Sequence, residues 1–246
     1  MPLMVKSWLD AALAFFYPES CQLCFAERAK PQEGYICNRC WKGVRFICPP
    51  FCRRCGLPYE GEITTPFQCG NCQDMELSFS SARSAVFAAG IVREVIHRYK
   101  YNRALWFEPF LAELLARAAA PVLQSASPPW DALVPVPLHP LKEREREFNQ
   151  AARIAGHLAR RTGIPLRTSL VRRVRPTLTQ THLNRVERAQ NVAHAFEGPG
   201  DRSIQGQRIV LVDDVLTTGA TTSACAKALR QSGAQEVCVW TVARGI

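Results

Sequence analysis

Two adjacent carboxylates, Asp213 and Asp214, stand just before a hydroxyl-rich turn that contains a glycine, residues 217–221. A sequence with good helix propensity, residues 222–231, follows the turn at once. The first turn of a helix presents unpaired N–H groups and the positive end of the helix dipole, which together bind anions such as phosphate. Carboxylates would repel a bare phosphate, but they suit sugar hydroxyls or a magnesium ion. The pattern therefore favours a ligand that carries both groups, such as a ribose 5-phosphate unit, over an ordinary βα turn.

A second set of reactive residues lies near the start of the chain. It consists of four CxxC pairs: Cys21 and Cys24, Cys37 and Cys40, Cys52 and Cys55, and Cys69 and Cys72. A two-residue gap lets both sulfurs turn onto one metal ion, and the gaps of 12 and 13 residues between successive pairs are typical of zinc ribbons. We predict two structural Zn²⁺ sites of four cysteines each, with the pairs used in sequence order. Spacing alone leaves a cross-braced pairing open.

Other chemistry for these cysteines is less favoured. Disulfides need an oxidising compartment, and the sequence shows no export signal. Iron–sulfur ligation fits this spacing less well than zinc does. Cys48 lies outside the pairs and is not expected to be a ninth ligand, while Cys225 and Cys238 are expected in the core.

The elements that would position these residues alternate between strand and helix. Val, Ile and Leu runs predict strands at 84–90, 131–134, 166–174, 209–212 and 236–242, and helical patterns fall at 91–99, 106–120, 148–161 and 222–231. Pro121 is expected to end the second helix, and residues 175–200 are expected to form a mobile loop with a helical piece. The alternation predicts an α/β fold with a parallel sheet and a ligand at the carboxyl ends of its strands.

Charge and hydropathy limit the other function classes. The 246-residue chain has a formal net charge of +10, and residues 142–188 hold twelve basic and four acidic side chains. A basic belt suits a polyanionic substrate or nucleic acid, although a solvated helical face is equally common. No apolar run approaches the ~20 residues of a membrane span. The segment 1–16 has apolar residues at helical spacing, which predicts a short amphipathic helix, and the expected location is the cytoplasm.

Residues 209–222, IVLVDDVLTTGATT, resemble the signature of the type I phosphoribosyltransferases, which bind 5-phosphoribosyl-1-pyrophosphate (PRPP). The wider chain is similar to the ComF family, which joins a zinc finger to a phosphoribosyltransferase domain and is linked to DNA uptake. The resemblance rests on motifs that follow one another in the family's order: the amphipathic start, the CxxC pairs, VPVPLHP, REREFNQ, Gln180, Leu183, Arg188, Asn191, Phe196 and VDDVLTTGAT. It implies a small cysteine-rich zinc-ribbon domain over residues 1–80 and a phosphoribosyltransferase domain over residues 81–246.

The resemblance also implies roles for individual residues. Asp213 and Asp214 would hold the ribose hydroxyls, and the loop Thr217, Thr218, Gly219, Ala220 and Thr221 would hold the 5-phosphate. The pyrophosphate would lie on Val136, Pro137, Leu138 and His139, with Lys142, Arg144 and Arg146 as neutralising cations and Mg²⁺ as the bridging ion. Asp213, Asp214, Thr217 and Arg188 are the expected catalytic residues, and Lys100 has a weaker case.

The implied function is PRPP binding with transfer of phosphoribosyl to an unidentified acceptor, in a role linked to DNA. Two alternatives stay open: a protein that senses PRPP without turnover, and a module that binds single-stranded DNA. The resemblance further suggests a DNA-uptake helicase as a partner. One residue departs from the family, since Glu147 replaces the usual glycine of the basic turn. If that position has φ > 0, glutamate is strained there and its charge weakens pyrophosphate binding.

Overall fold

The structure is a computed structural model, and it describes residues 19–59, 61, 69–73, 75–125, 129–176, 191–192, 194–201 and 203–245. The expected N-terminal helix lies outside these residues. So do Gln180, Leu183 and the predicted catalytic residue Arg188.

A four-stranded parallel sheet with the order β1-β6-β5-β2 forms the centre of the molecule. A separate two-stranded antiparallel ribbon pairs β3 with β4. The strands are β1 (Ser81–Phe87), β2 (Ala132–Pro135), β3 (Arg172–Arg173), β4 (Phe196–Glu197), β5 (Arg208–Leu216) and β6 (Glu236–Arg244). The predicted α/β fold with a parallel sheet is confirmed.

Helices surround this sheet in the described part of the chain. They are α1 (Asn38–Lys42), α2 (Gly70–Gln73), α3 (Gly90–Tyr101), α4 (Glu108–Ser125), α5 (Pro140–Arg146), α6 (Gln150–Thr162) and α7 (Ala220–Gln231). Short 3₁₀ turns occur at Pro31–Glu33 and Leu105–Phe107. Helices α4 and α6 pack on one face of the sheet, and α7 packs against β5, β6 and β4.

The central strands are apolar because both faces are covered. In β5, Val210 and Val212 join Trp240 in the hydrophobic core under α4 and α6. The alternate residues Ile209 and Leu211 point into a second core that includes α7 and the cysteines of the second ribbon. Continuous apolar runs are typical of strands buried on both sides, which is why the sequence located β5 and β6. The predicted end of β5 at residue 212 is too early, because the strand continues to Leu216 and includes Asp213 and Asp214.

Three larger differences separate the sequence-based predictions from the structure. Helix α4 continues through Pro121, because packing of α4 on β6, β1 and α6 outweighs the local cost of proline. The strand predicted at 166–174 shrinks to β3, and Leu166 forms only an isolated bridge with Leu133. The basic turn after His139 is a helix, α5, because Pro140 at its first position and the His139 cap start it.

The cysteine-rich front end is joined to the sheet through its backbone. Phe46 forms an antiparallel bridge with Val86, and the Ile47 N–H donates to Ala85 O at 2.9 Å. The Ala82 N–H donates to Arg54 O at 2.7 Å. The ribbons therefore line the outer edge of β1, and the boundary at residue 80 stays a prediction. No helix in the described ranges is long and apolar enough to cross a bilayer.

Candidate functional site

A cleft of about 570 Å³ opens where β2 and β5 end. It brings together most of the predicted PRPP-binding residues: Val136, Pro137, Leu138, His139, Lys142, Arg146, Asp213, Asp214, Thr217, Gly219, Ala220 and Thr221. Arg144 is exposed on α5 and does not line the cleft, nor does Thr218. The position of the cleft at the carboxyl ends of parallel strands is the usual ligand site of open α/β sheets.

The two carboxylates lie at the bottom of the cleft in unlike surroundings. Asp214 is 2% exposed and forms an ion pair with Lys100, while Asp213 Oδ1 accepts the Asp214 N–H at 2.9 Å. Burial, reinforced by the negative charge of Asp214, raises the pKa of Asp213 well above its usual value. Burial opposes ionisation of Asp214 too, but the Lys100 cation outweighs it and lowers the pKa of Asp214. One carboxylate is therefore held ionised while its neighbour resists ionisation.

A basic wall faces the carboxylates. Arg146 is buried, and its guanidinium donates to Gln150 Oε1 at 2.6 Å and lies 5.4 Å from the Tyr101 ring centroid. Since Gln150 opens α6 and Arg146 ends α5, this bond fixes the angle between the two helices at the cleft. Lys142 lies one turn before Arg146 and also lines the cleft. The wall suits a diphosphate because guanidinium and ammonium groups donate strong, charge-assisted hydrogen bonds to phosphate oxygens.

The predicted pyrophosphate loop is held from behind. Asn149 caps α6 by accepting the N–H groups of Ala151 and Ala152 at 2.9 and 3.2 Å, and its Nδ2 donates to Val136 O at 3.1 Å. His139 caps α5, with Nδ1 accepting the Leu141 N–H at 3.3 Å. The REREFNQ motif therefore supplies a wall cation, a clamp on the loop and the start of α6.

The predicted phosphate loop turns at Gly219, which has φ = +89° and caps α7. Thr218 Oγ1 accepts the Ala220 N–H at 3.3 Å, and Thr222 Oγ1 donates to Gly219 O at 3.1 Å. These bonds shape the turn and leave Thr217, Gly219 and Ala220 along the cleft. The start of α7 thus faces the space that a phosphate would occupy.

Several lining residues had little or no signal in the sequence. Lys100 ends α3 far from the aspartates in the chain, and only the fold brings it to Asp214. Arg173 lines the cleft from β3, where burial lowers its pKa while Asp213 partly offsets this. Tyr101 and Gln150 also line the cleft; of these two, only Gln150 could have been found from the sequence, as the last residue of REREFNQ.

Glu147 has φ = +69°, so the backbone at this position is left-handed. Its Oε1 pairs with the Arg103 guanidinium at 2.7 Å, and both side chains are more than half exposed, 60% and 57%. The glutamate therefore forms an ion pair with a cation at the rim of the basic wall. Its backbone is in a conformation that is strained for glutamate and that glycine adopts without strain.

Replacing Glu147 with glycine removes left-handed backbone strain of about 1 kcal/mol. In a chain of this size, a gain of that amount is expected to raise the melting temperature by about 2–4 °C. The release of Arg103 should also strengthen the PRPP binding that the sequence predicts. Glu147→Ala is the matched control, since it removes the charge and keeps the strain. Calorimetric melting and titration with PRPP measure both effects. A Glu147→Gly variant that binds PRPP no better than wild type would contradict the role of the charge.

Eight cysteines form two clusters in the described residues. The first is Cys21, Cys24, Cys37 and Cys40, and the second is Cys52, Cys55, Cys69 and Cys72. Within each cluster the sulfurs lie within 4.8 Å of one another, and the closest pairs are 3.3 to 3.8 Å apart. Four thiolates around one Zn²⁺ at ~2.3 Å stand about 3.8 Å apart, so the geometry fits zinc. The grouping follows sequence order.

The thiols outside the clusters behave as small side chains. Cys48 is exposed and belongs to neither cluster, and Cys225 and Cys238 are buried as expected. Within the clusters, burial opposes ionisation of Cys21 and Cys52, yet backbone N–H groups lower the pKa of both to about 6. Each cluster therefore holds one thiol that ionises readily, as a metal ligand must.

Comparison with known proteins gives two family matches. Residues 12–73 match the double zinc ribbon domain, and residues 149–246 match the phosphoribosyl transferase domain. The first of these contains all eight cluster cysteines, and the second contains both aspartates of the cleft.

Two curated proteins are similar over most of the chain. Competence protein F of Haemophilus influenzae is 33% identical over 215 residues, which cover 85% of this chain and 90% of that protein. DNA utilization protein YhgH of Salmonella typhi is 32% identical over 231 residues, 92% of this chain and 97% of that protein. Among solved structures, a glutamine PRPP amidotransferase from B. subtilis matches with a TM-score of 0.32 and 25% identity, over 52% of this chain and 24% of that one.

Proposed function

The chain belongs to the ComF family of competence and DNA-utilization proteins, and from this membership we propose that its cleft binds PRPP with Mg²⁺ and transfers the phosphoribosyl group to an acceptor. The observation that carries the proposal is the division of charge within one cleft. Two adjacent carboxylates lie between the start of α7 and a wall of cations. PRPP has the matching order, with ribose hydroxyls between a 5-phosphate and a diphosphate.

Each part of the cleft then has a task. The loop 217–221 and the first turn of α7 bind the 5-phosphate. Asp213 and Asp214 accept hydrogen bonds from the ribose hydroxyls, and Lys142 and Arg146 stabilise the diphosphate. A bound Mg²⁺ would supply further neutralisation of the phosphate charge. The carboxylates and the substrate oxygens are the hard ligands that this ion prefers.

In the transfer, the bond between the ribose anomeric carbon and pyrophosphate breaks, and pyrophosphate leaves with the bonding electrons. A nucleophile on the acceptor forms the new bond from the opposite face. The cations of the wall stabilise the charge that develops on the leaving group, and the carboxylates hold the ribose still. Thr217 is a poor proton acceptor, so a proton lost by the acceptor's nucleophile must pass to the departing pyrophosphate, to solvent or to another side chain.

Isothermal titration with PRPP and Mg²⁺, followed by assays of pyrophosphate release with candidate acceptors, tests the proposal. We expect binding that needs Mg²⁺ and exceeds the binding of ribose 5-phosphate alone, because the diphosphate adds contacts to the basic wall. Absence of PRPP binding would overturn the proposal. Binding without pyrophosphate release for any acceptor would favour a PRPP sensor instead.

A second function, binding of single-stranded DNA, is supported by the rim of the same cleft. Tyr101 and Leu141 are 60% and 63% exposed there, beside Arg103 and Lys142. An exposed aromatic ring among cations can stack a base while the cations contact phosphates. The family resemblance also suggests a DNA-uptake helicase as a partner. This partner stays a prediction, and it would be relevant to the DNA-binding function.

Fluorescence anisotropy with a labelled oligothymidine at several salt concentrations tests the DNA function. We expect affinity to fall with salt, by a slope of about 0.7 for each phosphate contact, and Tyr101→Ala to weaken binding. Binding that does not change with salt would exclude this mode. PRPP added as a competitor shows whether DNA and PRPP use the same rim.

A further inference from the structure

The second cysteine cluster lies directly behind the predicted phosphate loop. Asn71 stands between Cys69 and Cys72 and is only 5% exposed. Its side-chain amide donates to the carbonyl of Thr218 at 3.1 Å, a contact between residues 147 positions apart in the chain. A buried amide placed by a metal-binding turn is a rigid donor, because both its backbone and its surroundings are fixed.

Arg244, the last residue of β6, holds the neighbouring part of the loop. The residue is 1% exposed, and its Nη1 donates to the carbonyls of Leu216, at 3.3 Å, and Thr217. Burial lowers the pKa of Arg244, while the nearby thiolates of the second cluster favour its charge. Zn²⁺ with four thiolates would carry about −2, so the metal-bound cluster would provide the buried guanidinium with a counter-ion.

The segment that follows the cluster packs along the first turn of α7. The Ser78 N–H donates to Ser223 Oγ at 2.9 Å, and Ser223 Oγ donates to Glu76 O at 3.3 Å. A side chain at Gly219 would meet Leu77 and Phe79 at 3.4 Å. The ribbon therefore touches the loop and the start of α7 at several separate points.

These contacts determine which way the peptide groups of the loop point. The carbonyls of residues 216, 217 and 218 are held on the side of Asn71 and Arg244. In a planar trans peptide the following N–H points the opposite way. The N–H groups of residues 217, 218 and 219 are thereby turned away from the ribbon, toward the cleft that Thr217 and Gly219 line.

We propose that Asn71 and Arg244 are positioning residues for phosphate binding. The second cysteine cluster is thus a structural support for the predicted phosphate loop. The proposal rests on the function proposed above. The first cluster has no such part among the described contacts: its residues pack on α3 and α4, as in the edge contact of Trp41 with Phe110. The two zinc ribbons, alike in sequence, therefore differ in what they support.

The first test is Asn71→Ala, with Asn38→Ala as the matched control because Asn38 is an exposed asparagine next to a ligand of the first cluster. Loss of one neutral hydrogen bond that presents the loop should weaken binding of PRPP and of ribose 5-phosphate about 3- to 10-fold. Binding of pyrophosphate alone should not change, since its loop is held by Asn149. Asn38→Ala should bind all three ligands like wild type.

Hydrogen exchange of the ligand-free protein provides a second readout that does not depend on PRPP. Asn71→Ala should speed exchange of the amides in residues 217–221 about 10-fold and leave exchange in the predicted pyrophosphate loop, residues 136–139, unchanged. Arg244→Lys keeps the charge beside the thiolates, but the lysine side chain ends one atom short of the guanidinium nitrogen that makes both bonds. It should therefore have the same effects, larger in size. Unchanged exchange and ribose 5-phosphate binding in Asn71→Ala would overturn the proposal, as would an equal loss of pyrophosphate binding.

If wild type binds none of the three ligands, the proposed function fails, while exchange in residues 217–221 still decides whether Asn71 and Arg244 position the loop. A folded Asn71→Ala variant suffices for that decision if Arg244→Lys does not fold. Faster exchange confined to this loop supports positioning. Faster exchange throughout the sheet in Asn71→Ala would show a general loss of stability and would count against it.

Discussion

Replacing both Asp213 and Asp214 with asparagine is expected to weaken PRPP binding by at least about 100-fold, because each carboxylate that accepts a ribose hydroxyl contributes a charge-assisted bond of about 1.5–3 kcal/mol. Titration calorimetry with Mg²⁺ measures the loss. The direction of the change is informative in itself. If the carboxylates did not contact the ligand, removing negative charge from the cleft would strengthen the binding of a polyanion.

The single variants separate binding from stability. The pKa of Asp213 is raised by burial, so its ionisation costs folded-state stability as pH rises above the unfolded value of 3.8. Asp213→Asn should therefore raise the melting temperature at pH 7. The pKa of Asp214 is lowered despite its burial, because Lys100 is adjacent. The stabilisation of the fold by this carboxylate is present above pH 3.8, the pKa in the unfolded chain, and is lost as pH falls through the lower pKa of the folded state. Asp214→Asn should therefore lower the melting temperature.

Both single variants should nevertheless weaken PRPP binding. General damage to the fold would not produce opposite changes in melting temperature together with weaker PRPP binding in both variants. Asp201→Asn serves as the control, because Asp201 is exposed and lies outside the cleft. If Asp213→Asn stabilised the protein and left PRPP affinity intact, the assignment of this carboxylate to the ribose would be wrong.

The purified protein is expected to contain two zinc ions per chain, and loss of either should remove most of the local stability of its ribbon. Structural zinc sites contribute about 10–16 kcal/mol of apparent binding energy in finger peptides. Apart from the residues that pack against the main core, the first ribbon has only a small core cluster of its own, Cys21, Ala29 and Cys37. Cys37→Ser and Cys69→Ser should each retain one zinc and melt at least about 10 °C lower, as measured by elemental analysis and calorimetry.

The pairing of the ligands can be tested with the same assay. In the observed grouping, a double variant of Cys21 and Cys37 disables one cluster and keeps one zinc. In a cross-braced arrangement, the same double variant would disable both sites. Cys48→Ser is the matched control, because Cys48 is exposed and outside the clusters, and it should keep two zinc ions.

The parts of the fold that the sequence predicts are those governed by local pattern. The apolar runs of β5 and β6, the glycine turn before α7 and the spacing of the cysteines each depend on residues close together in the chain. The phosphate loop and the two cysteine clusters follow from such patterns. Their prediction needed no knowledge of the tertiary structure.

The features that the sequence missed or indicated only weakly depend on contacts between distant residues. Lys100 pairs with Asp214 only because α3 and β5 end at the same edge of the sheet. Asn71 reaches Thr218 across 147 positions, and no local pattern marks it. Helix α4 runs past Pro121 because its packing on the sheet outweighs the local preference. Glu147 is intermediate: the motif predicted strain, and the left-handed backbone is present.

The pairing of the front end with β1 has a consequence for solubility. β1 is the outermost strand of the sheet, and the backbone groups of Ala85 and Phe87 bond to Ile47 and Arg45. An outer strand with free backbone groups is a template for pairing with another molecule, and natural proteins cover or disrupt such strands. If the first ribbon loosens when its metal is lost, this strand becomes accessible. Metal-depleted protein should therefore aggregate through its sheet, at a rate that rises with protein concentration.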